Sequence, residues 1–367
     1  MSAPKFATDR SHYGPALEAW FRRRFPEWTD VAIDDIDIPV ATGFSNETVF
    51  CTVARTVAGV RDRQRFVVRI EPTGGALFPA QTPACAISVD VQHRAMAVAA
   101  AHADAPIPEV IGYEADTEVL GVPFFVMAHV DGRVPSDNPR YTREGWLVDA
   151  TPDQRRHLVE QGLRAMAAVH AFDWHDADLG WLDRSATGSP TLGDQLDLYR
   201  SATLEWLDGR DHPTLDAAFD WLRRHDPHDE RIGLTWGDAR LGNIIWDGFD
   251  PVAVVDWEAT AISPLEADIG WWLMFDRMSF DDMGIDRLDG YPSRAEQIAI
   301  YEAASGREVC DAHYWEVFGA MRFCAIFIGL GDRLVDVGLM APEQSMAVDN
   351  LVTDALARLL TADPGRG

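Results

Sequence analysis

Asp238, Asn243 and Asp256 are the residues of this chain whose types and spacing could do chemistry. The first two lie five positions apart in LTWGDARLGNIIW (Leu234 to Trp246), and the third sits thirteen positions further on in VAVVDW. Each carries an oxygen donor. A hard divalent cation such as Mg²⁺ takes such groups sparingly, one or two carboxylates completed by phosphate oxygens and water. Runs of Leu, Trp, Ile and Val bracket the polar residues on both sides. They read as short strands that fix a tight loop and then a hairpin, so three side chains distant in the chain would converge on one point facing a phosphate.

The elements around this stretch fall into two groups. Ahead of it, IDIPVATGF, TVFCTVAR, RFVVRIEP, VIGYE and PFFVMAHV are each enriched in β-branched or aromatic residues and separated by turns, which predicts five neighbouring antiparallel strands. A helix is expected over Ser88 to Ala103, with Val91, Ala95 and Val98 on one face, and a further helix precedes the strands. Beyond Asp131, the segments Thr151 to Phe172, Thr191 to Leu207 and Pro213 to His225 show helical periodicity, the first two with Thr or Asp near an N-cap. GLTW, NIIWD and VAVVDW interrupt the helices, which resume from about Pro264 to Leu360. The polar stretch DGRVPSDNP marks the connection. The expected division is an N-terminal lobe over 1–130, with its N-terminal helix, and a helical C-terminal lobe over 131–367.

Composition narrows the function classes. With 367 residues, 47% hydrophobic and 25% charged, the chain has material for two cores and is not a disordered one. Its formal charge of -27 argues against nucleic acid, whose phosphates demand clustered Lys and Arg. Cys51, Cys85, Cys310 and Cys324 lie far apart with no zinc-site spacing and read as reduced thiols. The run FCAIFIGLG is too short to cross a bilayer, and the first residues lack a secretory apolar core, so a cytoplasmic protein without membrane contact is expected. The groups His170, Asp173, His175, Asp176, Asp178 and His225, His228 fit no zinc pattern and read as turn residues. Neither GxxxxGK[ST] nor GxSxG occurs, which removes P-loop and α/β-hydrolase chemistry.

WGDARLGN, VVDWE and EADIGWW, in this order downstream of a five-strand region, resemble the aminoglycoside phosphotransferase and choline kinase branch of the protein-kinase-like fold. The likeness runs from about Ile36 to Trp272. It implies an α+β, bilobal protein-kinase-like fold, with a small antiparallel five-stranded N-lobe carrying one helix and a larger, mainly helical C-lobe. It also implies an ATP- and Mg²⁺-dependent transfer of phosphate to a hydroxyl of a small-molecule acceptor. By this resemblance Asp238 accepts or orients the hydroxyl proton, Arg240 touches the transferred phosphoryl group, and Asn243 and Asp256 are the metal ligands. Asp268 braces the catalytic loop and His170 is buried beneath it.

On the nucleotide side the resemblance gives TGFSNET, with Gly43, Ser45 and Asn46, the place of the loop covering the phosphates, and Arg69 the place of a phosphate-binding Lys. Met127, Ala128, His129 and Val130 fall on the strand that joins the lobes and would hold adenine. Three departures stand out. The loop has one glycine, Arg replaces Lys, and the helix over Ser88 to Ala103 offers Gln92, His93 and Arg94 but no Glu to pair with Arg69. They motivate a rival reading, a nucleotide-binding pseudokinase with a regulatory or scaffold role. Trp236, Trp257, Trp271 and Trp272 read mainly as packing, and the choice among cationic, apolar and hydroxyacyl acceptors stays open, as does the oligomeric state.

Overall fold

The computed structural model describes residues 10–39, 46–227 and 231–362. Five antiparallel strands form the first sheet: β1 (Thr29–Asp37), β2 (Glu47–Val57), β3 (Val60–Ile70), β4 (Val110–Glu114) and β5 (Phe124–Ala128), in the order β1-β2-β3-β5-β4. Ala58 and Gly59, both at positive φ, make the tight turn between β2 and β3, as a two-residue hairpin requires.

Strand alternation gives this sheet two apolar faces. Cys51, Phe66, Val68 and Val126 meet Leu17, Trp20 and Phe21 of helix α1 (Tyr13–Arg24) on one side. Val67, Phe125 and Met127 meet Val91, Ala95 and Met96 of helix α2 (Ser88–His102) on the other. The sheet is thus held between two helices, and a one-turn α3 (Thr117–Leu120) follows β4. The first strand begins earlier than its sequence suggests, at Thr29, and shares Ile36 and Asp37 with IDIPVATGF, whose residues 40–44 lie outside the described residues. Asp is disfavoured in strands, but β1 is a sheet edge, where charged side chains face water.

The second lobe contains α4 (Pro152–Val169), α5 (Leu192–Leu207) and α6 (Pro213–Arg224). Thr151 with Gln154 and Thr191 with Asp194 close capping boxes at the starts of α4 and α5. Four short strands come next: β6 (Ile232–Thr235), β7 (Ile244–Asp247), β8 (Asp250–Val254) and β9 (Ala261–Pro264). β6 pairs with β9 and β7 with β8, both antiparallel. Helices α7 (Glu266–Ser279), α8 (Arg294–Ser305), α9 (Ala312–Asp336) and α10 (Leu351–Thr361) complete the lobe.

Four-residue β9, which ends at Pro264 where the helices are expected to resume, is not foreseen from the sequence, being too short to show a period. Trp236, Trp246 and Trp257 are fully buried around the strands and lock them to the helices. Among the described residues no helix is long and apolar enough to cross a membrane. Cys51, Cys85 and Cys324 are free thiols, and burial pushes those of Cys51 and Cys324 up to about 12.

Candidate active site

The loop after β6 is shaped by a backbone that only glycine can follow. Gly237 has φ +90, and a Cβ there would lie 2.0 Å from the carbonyl oxygen of Ala259. The turn that results exposes the N–H groups of Trp236 and Gly237 to the buried carboxylate of Asp268, at 2.7 and 2.8 Å. His170 Nε2 donates to the same carboxylate at 2.9 Å, while its Nδ1 shares a 2.7 Å bond with the Tyr301 hydroxyl. A side chain at the start of α7 and another at the end of α4 thereby hold the backbone just before Asp238. Both are fully buried.

Asp238 sits at the bottom of the cleft with 7% of its surface exposed. Trp271 Nε1 donates to its Oδ1 at 2.7 Å, and Asn243 Nδ2 donates to its Oδ2 at 2.7 Å and to its carbonyl at 3.0 Å. Arg240 Nε stands 3.2 Å from Oδ1. Burial raises the Asp238 pKa; Arg240 opposes the rise and Asp256 adds to it. Arg240 also donates to Asp137 at 2.7 Å and lies over the Phe275 ring. Burial disfavours its charge, yet Asp238 and Asp137 outweigh that effect.

The β7–β8 hairpin carries Asn243 at its start and Asp256 past its end, and Val255 N–H donates to Asn243 C=O at 3.0 Å. Asn243 directs its N–H₂ toward Asp238, so its amide oxygen is the group left for a cation. Asp256 adopts φ +63. Its carboxylate receives Arg69 Nη2 at 3.1 Å, while Arg69 Nη1 donates to Thr48 at 2.8 Å. The guanidinium of β3 therefore crosses the cleft to the acid of the second lobe.

Helix α2 has a different carboxylate from the one the resemblance leads one to seek. Glu71, two residues after Arg69, accepts the N–H groups of Ser88 and Val89 at 3.1 and 2.9 Å and caps the helix from the strand side. Burial raises the Glu71 pKa against these two bonds. Gln92 of α2 donates to Ser88 and to Asn46 Oδ1. Asn46 is fully buried, whereas Gly43 and Ser45 lie outside the described residues.

On the joining strand, Met127 is buried, Ala128 N–H donates to Glu109 and His129 N–H to Arg65. Those two donors are used within the sheet. Burial lowers the His129 pKa, with Arg65 adding to the effect.

Beside Arg240 a pocket opens, lined by Tyr141, Leu241, Trp272, Phe275, Asp276 and Tyr291. Its acids are paired within the chain, Asp137 with Arg240 and Asp276 with Arg287 at 2.8 Å. Trp272, Phe275 and Asp276 come from α7, and neither α5 nor α6 lines it. Among the described residues no group of three or more His, Cys, Asp or Glu could hold a metal unaided. Asp173 pairs with His175, and His225 stacks on Trp221.

Sequence reasoning passes over Glu71, Asp137 and Arg322. Arg322 Nη2 donates to the carbonyl of Gly237 at 2.9 Å. A lone cation in the apolar run YWEVFGAMRFCAIFIGL is a signal that could have found it.

Comparisons with known proteins agree with this geometry at the level of fold. A putative aminoglycoside phosphotransferase from Ralstonia eutropha is 22% identical, with a TM-score of 0.69 over 94% of this chain and 96% of its own. A GDP complex of aminoglycoside 2'-phosphotransferase-IIIa has a TM-score of 0.58 at 13% identity, over 94% of this chain and 99% of its own. A ternary complex of aminoglycoside phosphotransferase APH(4)-Ia with ADP and hygromycin B has a TM-score of 0.55 at 14% identity, over 96% and 99%.

In sequence, the chain is 24% identical to the probable acyl-CoA dehydrogenase IBR3 of Arabidopsis thaliana over 80% of its length. It is 25% identical to acyl-CoA dehydrogenase family member 10 of Mus musculus over 79%. It spans 36% of the first relative and 26% of the second. The profile of the APH phosphotransferase enzyme family matches residues 38–299, more than half of the chain, with Arg69, Asp238, Asn243, Asp256 and Asp268 all inside the match. The chain belongs to the phosphotransferase enzyme family.

Proposed function

We propose that this protein is a small-molecule kinase that moves the γ-phosphoryl group of ATP, with Mg²⁺, to a hydroxyl of a small acceptor. The observation that carries the reading is the meeting of Asp238, Asn243 and Asp256 around one cleft into which Arg69 reaches from the opposite lobe. Residues 1–130 would bind the nucleotide and 131–367 would carry the catalytic loop and the acceptor, in a cytoplasmic setting where ATP is at hand. Two similar structures hold ADP or GDP, which supports a purine nucleotide.

In this reading Asp238 takes the proton of the acceptor hydroxyl as its oxygen forms a bond to the γ-phosphorus, and the bond from that phosphorus to the β–γ bridging oxygen breaks to release ADP. Arg240 grips the transferred group with a planar fork. Arg69 exchanges Asp256 for nucleotide phosphate. Asp256 and the amide oxygen of Asn243 would hold Mg²⁺, whose chemistry there is neutralisation of phosphate charge. One carboxylate and one amide suit that ion, which commonly keeps water and substrate phosphate in its shell.

The connection from Asp256 to Asp268 contains the short β9 and leaves no length for a peptide-docking segment, which supports a small acceptor. The residues beside Arg240 are largely aromatic and their acids are already paired, which supports an acceptor with an apolar part over a polycation. Titrating nucleotides with and without Mg²⁺, then following phosphate transfer across aminoglycosides, amino alcohols and hydroxyacyl thioesters, tests the proposal. Metal-dependent nucleotide binding with no transfer to any hydroxyl would replace it with the pseudokinase reading.

A further inference from the structure

We infer that Trp271 and Arg322 are positioning residues that hold the carboxylate of Asp238 in the orientation from which it takes a proton; the inference rests on the role proposed above for Asp238. A buried indole N–H needs an acceptor, and a backbone carbonyl is enough for it. Trp236, Trp246 and Trp257 give theirs to the carbonyls of Val255, Leu241 and Val254, and Trp272 gives its own to Gln297. Trp271 instead donates to a carboxylate, Oδ1 of Asp238, at 2.7 Å. With Asn243 on Oδ2 at 2.7 Å, the carboxylate is pinned at both oxygens and cannot turn about its last torsion. Its remaining lone pairs are left for the incoming hydroxyl.

Arg322 supports this contact from behind. It is 4% exposed, and among the described residues no carboxylate pairs with it. A guanidinium in such a place is costly unless its donors are used. Its Nη2 donates to Gly237 C=O at 2.9 Å and its Nε to the Tyr199 hydroxyl at 3.1 Å, and its Cζ lies over the Trp271 ring, 4.7 Å from the centroid. One side chain of α9 thus holds the peptide before Asp238 and the ring that holds Asp238 itself.

Close approach of α7 and α9 sets the depth of Trp271. A Cβ on Gly270 would come within 2.3 Å of the Trp315 carbonyl, and one on Gly319 within 3.2 Å of the Trp271 Cα.

Trp271→Phe keeps an aromatic ring and removes the N–H, and 3-benzothienylalanine at position 271 keeps the bicyclic shape as well. Both are expected to lower kcat about tenfold, with acceptor KM and nucleotide Kd changing less than threefold. Arg322→Met is expected to lower kcat in the same way, with Arg322→Lys recovering part of it.

The inference fails if the isosteric variant keeps kcat within twofold, or if kcat and nucleotide affinity fall together, as general loosening would cause. Crystal structures of wild type and Trp271→Phe with bound nucleotide test it without turnover. A rotated or multiply placed Asp238 carboxylate in the variant supports it, and an unmoved one overturns it. Absence of transfer by the wild-type protein would instead count against the proposed function.

Discussion

Arg69 and Asp256, 187 positions apart in the chain, form an ion pair of 3.1 Å across the cleft, with both side chains largely shielded from water. A cation on β3 therefore occupies an acid that a metal ion would also claim. Arg69 uses two different nitrogens, one for Asp256 and one for Thr48, which a single ammonium on a flexible stem cannot reproduce. Arg69→Lys is accordingly expected to lose activity, and Arg69→Met to weaken nucleotide binding by roughly ten- to a hundredfold, the worth of a charge-assisted bond to phosphate. The same Met variant should bind free Mg²⁺ more tightly, because Asp256 is released. Calorimetry with nucleotide and with Mg²⁺ alone checks both signs; full activity in Arg69→Lys would mean that the fork is not used.

Asp256→Asn removes the charge that would hold the cation and leaves Arg69 without its carboxylate. Metal-dependent nucleotide affinity is expected to fall by at least about tenfold, with activity falling alongside it. Nucleotide binding in the absence of Mg²⁺ should change much less. Comparing the two titrations isolates the metal contribution, and an equal loss in both would assign Asp256 a structural role instead.

Asp238→Asn should separate binding from chemistry. The amide cannot take a proton, so turnover is expected to drop by roughly 10²–10⁴-fold, while nucleotide Kd stays within a few-fold because neither proposed metal ligand is altered. Single-turnover transfer beside an equilibrium titration makes the comparison. Parallel losses would contradict the division of roles between Asp238 and Asp256.

How much of this was legible in the sequence depends on whether the signal is local. WGDARLGN and VVDWE could be read because a loop and a hairpin compress their chemistry into a few residues with fixed spacing. The five strands could be read from β-branched runs, though β1 was displaced because its Asp residues suit an edge and disguise a strand. Long-range partnerships left no such trace. Nothing near Arg69 announces Asp256, and Glu71 looks like the first residue of a loop until it meets the start of α2 seventeen positions later. Trp271 reads as packing, which it is, since the contact that adds a role depends on how deeply α7 and α9 interlock.

Asp268 offers a test of whether the loop is built before it is used. Its buried carboxylate accepts two backbone N–H groups and His170, and Asp268→Ala would leave all three donors without an acceptor. Breaking such a buried arrangement costs on the order of 3–5 kcal/mol, so chemical denaturation should show a large fall in stability with an unchanged slope. Asp268→Asn keeps one acceptor oxygen and should lose less. Because these bonds hold the backbone of Trp236 and Gly237 rather than any reacting group, residual folded Asp268→Asn should bind nucleotide nearly as well as wild type and turn over more slowly. Wild-type stability in Asp268→Ala would show that the loop is held by Gly237 and the strands alone.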